Sequence, residues 1–377
     1  MQRSSLRRAL NCSGWGLIAA LSTTSCALPQ GATPPVANAV PSTAAAHPAL
    51  PATDAQVTLS VQDPGAPPRD LVVSLYYPKS HLSNVTADTG LMLDLHNWGG
   101  KDLDGAPNPI TLANNYNVIS IAVRYYQSSD PDKGPIPYDF GYIQACDALR
   151  ALQYVYGSLT EAKMPFDATR IYGTGGSGGG NVIEMANKFA PHTFACIVDL
   201  SGMASLTDDI AYNMPGGSAL NARYSRDPAS SQYLTKGMQE IRDIGNPAHL
   251  AEMAKLGNGC QVVMIHGDDD PYCLITDTQR VAAAMQAAGL KVETHFFAKT
   301  DIDGKIVKNT GHSIGNRTTL LVTFAGDYLT PGNAKMCRLT SGSDFARRDK
   351  VTYDTSDARY SMDFSGGTPV LGSEKKP

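Results

Sequence analysis

Residues 56–62 (QVTLSVQ) alternate polar and apolar side chains with period two, and residues 71–77 (LVVSLYY) form a second β-rich run. Asp63-Pro64-Gly65 between them is a turn signal, so the two runs predict an antiparallel strand pair. The pattern then changes. Leu91–Leu95 and Val118–Val123 are continuous apolar runs, as buried strands require. Residues 139–157 place Tyr142, Cys146, Leu149, Leu152 and Tyr156 on one helical face at three- and four-residue steps. A short strand at Arg170–Tyr172 and a helix at 178–189 follow. Phe194–Leu200 and Gln261–His266 predict strands, a helix follows near 275–288, Val292–Phe297 predicts a strand, and Ile314–Tyr328 a final helix. Strands alternating with helices predict an α/β fold with a mostly parallel central sheet covered on both faces.

Two segments interrupt this alternation. Residues 202–258 separate two predicted core strands and are too long for an ordinary connection, so they are expected to form an insertion or small cap over the site. Residues 330–377 form an extension in which Val351–Thr355 and Arg359–Phe364 can pair as a hairpin, while Gly366–Pro377 reads as loose. The main domain is therefore expected over 56–329.

The N-terminus reads differently. Arg3, Arg7 and Arg8 precede an apolar stretch at 9–22, which has signal-peptide length and is too short to span a bilayer. Residues 1–27 thus read as an export signal, and the protein as periplasmic or extracellular. Cleavage after Ala27 and lipidation of Cys26 are both open, and Cys26 is the single expected link to a membrane. Residues 28–55, rich in Pro, Ala and Thr, read as a disordered tether.

Composition narrows the function. The 377 residues are 42% hydrophobic, which is enough for a full core, and the formal net charge is -4. No basic stripe stands out, so a nucleic-acid partner is not expected. Of the seven cysteines, Cys146 and Cys196 sit in apolar patterns and read as core, which leaves Cys260, Cys273 and Cys337 as the bridging set in an exported protein. No pair has metal-binding CxxC spacing, and neither a metal nor a cofactor is expected.

The strongest local signal is Gly175-Gly176-Ser177-Gly178-Gly179. It fits G-x-S-x-G and lies between a predicted strand and a predicted helix. A nucleophilic serine must turn sharply out of the sheet, and that crowded turn demands small neighbours. A hydroxyl also needs a base, and the base an orienting acid. Asp270, in His266-Gly267-Asp268-Asp269-Asp270-Pro271, lies just past a strand end and is the expected acid, with Asp269 second. His312, in a loop before the last helix, is the expected base. Two amide donors must meet the developing oxyanion. They are expected from Gly178 and from the loop Leu95-His96-Asn97-Trp98-Gly99-Gly100, with Trp98 first and Asn97 second. Tyr212, Tyr224 and Arg226 of the insertion are the expected pocket residues.

With these motifs the chain resembles the α/β-hydrolase superfamily, in the G-x-S-x-G-G branch of prolyl-oligopeptidase-like and secreted esterase enzymes. The resemblance spans about residues 56–328 and implies the α/β-hydrolase fold and a Ser177–His312–Asp270 triad. The expected function is hydrolysis of carboxylic esters, small or polymeric, through an acyl-enzyme. A small serine peptidase is the alternative: peptidases of this branch usually carry a β-propeller, for which the roughly thirty residues between leader and first strand leave no room. A non-catalytic binding protein is a third reading, disfavoured by the complete Ser-Asp-His order.

Overall fold

The computed structural model describes residues 47–129 and 136–377. Expectations for the leader, for Cys26 and for the tether up to residue 46 lie outside the described residues. Eight strands form one sheet: β1 (Ala55–Val61), β2 (Arg69–Tyr76), β3 (Gly90–Leu95), β4 (Val118–Arg124), β5 (Ile171–Gly176), β6 (Cys196–Leu200), β7 (Gln261–Gly267) and β8 (Lys291–Phe297). Their spatial order is β1-β2-β4-β3-β5-β6-β7-β8. β1 and β2 form the expected antiparallel pair, β2 runs antiparallel to β4, and all later neighbours are parallel.

The continuous apolar runs follow from burial on both faces. In β4, Ile119, Ile121 and Val123 enter the larger core. In β6, Ile197 faces that core while Cys196, Val198 and Leu200 face the smaller one. β7 splits the same way, Val262 and Met264 against Val263 and Ile265. Helices cover both faces. The larger core is covered by α2 (Tyr142–Glu161), α3 (Gly178–Phe189), α6 (Pro247–Leu256) and α7 (Ile275–Ala287), and the smaller by α1 (Pro109–Tyr116) and α8 (Arg317–Leu329). Short helices α4 (Asp208–Tyr212) and α5 (Lys236–Ile241) lie in the 202–258 insertion. This is the α/β-hydrolase architecture. No helix among the described residues is long and apolar enough to cross a membrane.

Helix starts are set by caps that periodicity cannot see. The helix expected from 139 begins at Tyr142, because Asp139 Oδ2 accepts from the Ile143 and Gln144 amides at 2.6 and 3.1 Å. The one expected from Ile314 begins at Arg317, because the Asn316 side chain caps the Thr319 amide at 2.9 Å. Residues 312–315 are thereby left as a turn.

Three expectations are corrected. Gly366–Pro377 is not loose: β11 (Val370–Lys375) pairs antiparallel with β10 (Ala358–Asp363), which pairs with β9 (Lys350–Asp354). The hydrophobic face of this second sheet, with Tyr353, Tyr360, Met362 and Leu371, joins the larger core, and α9 (Asp344–Arg347) sends Asp344 to the amide and ring of His192 at 2.9 and 2.8 Å. Residues 47–54, the end of the expected tether, are bound to the domain. His47 meets Glu161 and Gln153 at 2.7 and 2.9 Å, and Leu50 packs on the core. No bridge joins Cys260, Cys273 and Cys337; all five cysteines of the described residues are free thiols. Cys337 instead lies beside Cys196, whose thiol lowers its pKa.

Candidate active site

β5 ends at Gly176 and α3 begins at Gly178, so one residue makes the whole turn. That residue is Ser177, at φ 56° and ψ -117°. A non-glycine residue held there costs about 1–3 kcal/mol, which the flanking sheet and helix must offset. The Ser177 amide donates to Leu200 O at 3.0 Å, and its carbonyl accepts from Asn181 N at 3.1 Å. The glycines around it have steric causes. A Cβ on Gly179 would stand 2.3 Å from the Leu95 carbonyl, and one on Gly178 2.5 Å from the Trp98 nitrogen. No flexible side chain can yield there, since both obstacles are backbone.

The Gly178 contact also brings the expected second donor close to the turn. The Trp98 nitrogen sits against the residue that follows the serine, as a two-amide anion site requires. Asn97, the second choice, has its amide committed to Asp104 O at 2.9 Å, and the residue lines the cavity. The loop is held from behind. His96 Nδ1 pairs with Asn97 O at 2.8 Å, its Nε2 with Ser128 Oγ at 2.7 Å, and its ring stacks on Tyr125 at 3.9 Å. Burial pushes the His96 imidazole down to about 4, so it stays neutral. Trp98 stacks on Tyr138 at 3.6 Å.

The loop after β7 separates the three aspartates. Asp268 and Asp269 are exposed, and Asp269 meets Lys299 at 3.3 Å. Asp270 turns inward and is buried. Its Oδ1 accepts from the Tyr272 and Cys273 amides at 2.9 and 3.1 Å. Its Oδ2 lies 2.7 Å from His312 Nδ1 and 3.2 Å from His266 Nε2. Burial alone would raise this carboxyl. Hydrogen bonds from His266 and His312 and the His312 charge outweigh it and hold the carboxyl well below the usual range. His266 is otherwise tied to Cys273 O at 2.8 Å and Thr278 Oγ1 at 3.1 Å, a supporting position.

His312 and Ser177 line one cavity of about 600 Å³. Among the described residues no hydrogen bond joins them directly; this contact is often long without substrate and tightens in the complex. Asn97 and Trp98 form one wall, and Tyr272, edge-on to His312 at 5.3 Å, adds to another. The insertion contributes Ala219, Leu220, Asn221 and Arg223. The expected pocket residues Tyr212, Tyr224 and Arg226 are not among those lining the cavity. Arg226 stacks on Tyr212 at 4.2 Å and pairs with Asp208 at 3.0 Å, while Tyr212 and Tyr224 pack on the apolar cluster that also takes Trp98 and Leu220. Irregular loops carry no periodicity from which side-chain direction can be read.

Ligating atoms of Asp270, Cys273 and His312 lie within 4.8 Å of one another. Both Asp270 oxygens already serve two amides and two imidazoles, so this grouping is explained as an acid–base pair with a thiol at its base.

Arg317 is a site residue that periodicity and motif both missed. It opens α8, donates to Gly105 O, and lies against the elbow, where a Cβ on Gly176 would fall 2.1 Å from its Nη1. Burial lowers its pKa, while the charges of Cys273, Asp199 and Asp270 raise it. One side chain thus braces the nucleophile turn and the segment behind Asn97. Arg317→Ala is expected to lower kcat about 10–100-fold with a smaller change in KM, because misplaced reacting groups lose rate before binding. Steady-state kinetics with a chromogenic ester checks this; an unchanged kcat would show that the brace is dispensable.

Residues 145–329 match the model of the prolyl oligopeptidase family. No curated protein matches the sequence. Among solved structures, the Pyrococcus horikoshii acylaminoacyl peptidase is 14% identical, with a TM-score of 0.52, over 75% of this chain and 43% of that one. A Porphyromonas gingivalis dipeptidyl peptidase 4 is 14% identical over 74% and 35%, TM-score 0.48, and a Thermogutta terrifontis esterase 2 is 13% identical over 64% and 81%, TM-score 0.40. The chain thus spans less than half the length of that acylaminoacyl peptidase. Over residues 145–329 the chain is thus similar to that family, and its fold is that of the α/β-hydrolases.

Proposed function

We propose that this protein is an exported hydrolase that cleaves carboxylic esters through an acyl-enzyme on Ser177. The observation that carries the reading is the shared cavity: Ser177 on its strained turn faces the same space as His312, whose Nδ1 is held 2.7 Å from buried Asp270. The Asp270 contact leaves Nε2 of His312 as the nitrogen that takes the serine proton. His312 then returns that proton to the leaving alcohol. The amides of Gly178 and Trp98 receive the oxyanion of each tetrahedral intermediate, and water attacks the acyl-enzyme by the same route. No step calls for a metal or cofactor.

A second reading, cleavage of short peptide amides, is favoured by the prolyl oligopeptidase family match. Both share every step up to the leaving group. Matched 4-nitrophenyl esters and peptide 4-nitroanilides separate them, with faster ester turnover expected. A fluorophosphonate is expected to label Ser177 stoichiometrically. Absence of labelling together with absence of turnover would overturn both readings, and faster anilide turnover would favour the peptidase. Export is tested by the N-terminus of the mature protein from cell fractions; an intact leader in the cytosol would overturn it.

A further inference from the structure

We propose that Cys196 and Cys337 are a dithiol pair that closes to a disulfide when the protein meets a small-molecule disulfide, fastening the segment after α8 onto β6. Both thiols are free in the structure, and they lie side by side, sharing a hydrogen bond. A disulfide holds its two β-carbons about 4 Å apart, so sulfurs already in contact need little backbone movement to close.

The surrounding backbone fixes this meeting. Cys196 opens β6 and faces the smaller core, and Cys337 packs on that same core. Tyr172 of β5 is the register partner of Cys196, and its hydroxyl donates to the Cys337 carbonyl at 2.9 Å. The Cys337 amide donates to Tyr328 O at 2.9 Å, near the end of α8. Two residues on, Leu339 N donates to Thr169 O at 2.8 Å. The segment is therefore held over Cys196 before any covalent bond forms. Position excludes the other thiols of the described residues. Cys260 precedes Gln261, which pairs with Cys196, but it enters the larger core. Cys146 lies in α2 on that same side, and Cys273 is tied by its amide to Asp270 at 3.1 Å.

The pair is asymmetric in the way that thiol exchange requires. Cys196 is fully buried, while Cys337 is half-buried and can be reached from solvent. The hydrogen bond from Cys196 and the Lys291 charge favour a thiolate at Cys337 and outweigh its burial. Burial pushes the Cys196 thiol up, so it keeps its proton. The Cys337 thiolate attacks the small disulfide, whose S–S bond breaks, and one small thiol leaves with the proton that Cys337 gave up. The Cys196 sulfur then attacks Cys337 in the mixed disulfide, and the second small thiol leaves with the Cys196 proton. Two protein thiols are oxidised to one disulfide, and one small disulfide is reduced to two thiols. The bond would lie at the amino end of β6, whereas Ser177 is held by Leu200 at its carboxyl end. It should therefore act on stability and leave turnover unchanged.

Peptide mapping tests this without any variant. The full chain is reduced, equilibrated with oxidised glutathione, alkylated, and digested with trypsin under non-reducing conditions. The expected product joins the peptide carrying Cys196 to Met336-Cys337-Arg338, with Cys146, Cys260 and Cys273 alkylated. Oxidation is expected to raise the urea midpoint by about 1 M, and dithiothreitol to reverse the rise. Cys337→Ser should abolish both the linked peptide and the shift, and Cys260→Ala should keep both. Alkylation of both Cys196 and Cys337, glutathione retained on Cys337, or linkage of Cys337 to Cys260 or Cys26 would overturn the pair. A linked peptide with an unmoved midpoint would overturn the fastening role, and ester turnover that differs between oxidised and reduced protein would overturn its separation from the site. The peptide map reads the same whether or not the protein hydrolyses esters, so failure of that reading stays distinguishable.

Discussion

Ser177→Ala is expected to lower kcat/KM for ester substrates by about 10⁵–10⁶-fold, the range seen when a triad nucleophile is removed alone. The loss should fall in kcat, because the cavity walls and the two amides remain. The fold should survive. Alanine keeps the Cβ that the turn already accommodates, and the backbone bonds to Leu200 O and from Asn181 N remain, so only the hydroxyl's contact with the Cys273 thiol is lost. The unfolding free energy should therefore move by less than about 1 kcal/mol. Initial rates beside a urea melt test both halves. A variant within tenfold of wild-type rate would remove Ser177 from the chemistry. A variant that no longer folds would show that the hydroxyl is structural.

Asp270→Asn should be nearly as damaging, for a different reason. The carboxylate accepts from His312 Nδ1, which leaves Nε2 free to take the serine proton. An amide in its place can offer N–H to the imidazole and stabilise the wrong tautomer, a change worth about 10⁴-fold in kcat. The two backbone amides and His266 also lose a charged acceptor, at about 2–3 kcal/mol of stability. The sign of the pH dependence follows from the depressed folded-state pKa. The unfolded carboxyl titrates near about 4, so Asp270 contributes its stability fully above that pH and loses it as pH falls further. The stability gap between wild type and Asp270→Asn is expected to be full at pH 7 and smaller at about pH 3. Rate lost between neutrality and about pH 4 belongs to another group, since Asp270 stays ionised there. Urea melts at the two pH values and a pH–rate profile measure this; a gap that widens in acid would reverse the assignment.

Most of the fold was legible because its signals are local. β3, β4, β6 and β7 each show as an apolar run buried on both faces. The G-x-S-x-G turn shows because backbone at Leu95 and Trp98 leaves no space for a Cβ. Asp270 was separable from Asp268 and Asp269 by its offset past the strand end. Other features depend on partners far away in the chain. β11 lacks a strong apolar run, with one buried residue in six, and exists because β10 offers it hydrogen bonds. Cys260 and Cys273 are held apart in different structural settings, one at the start of β7 and one beside the acid.

The pocket shows the same division most sharply. Tyr224 and Arg226 flank the loop that does line the cavity, yet Asn221 and Arg223 are the residues that reach it. A left-handed turn at Arg223 reverses side-chain direction within two positions, and no composition or spacing encodes that reversal. Arg317 was likewise invisible, since its role comes from meeting Gly105 and Gly176 across loops distant in sequence. The sequence by itself determined the order of strands and helices and singled out Ser177, Asp270 and His312 as the candidate site, which the fold brings together around one cavity. Burial periods and steric demands at a tight turn are written in neighbouring residues. The tertiary structure alone decided which loop residues line the cavity and how the C-terminal strands close the core. Each of those depends on direction in space between segments that share no local code.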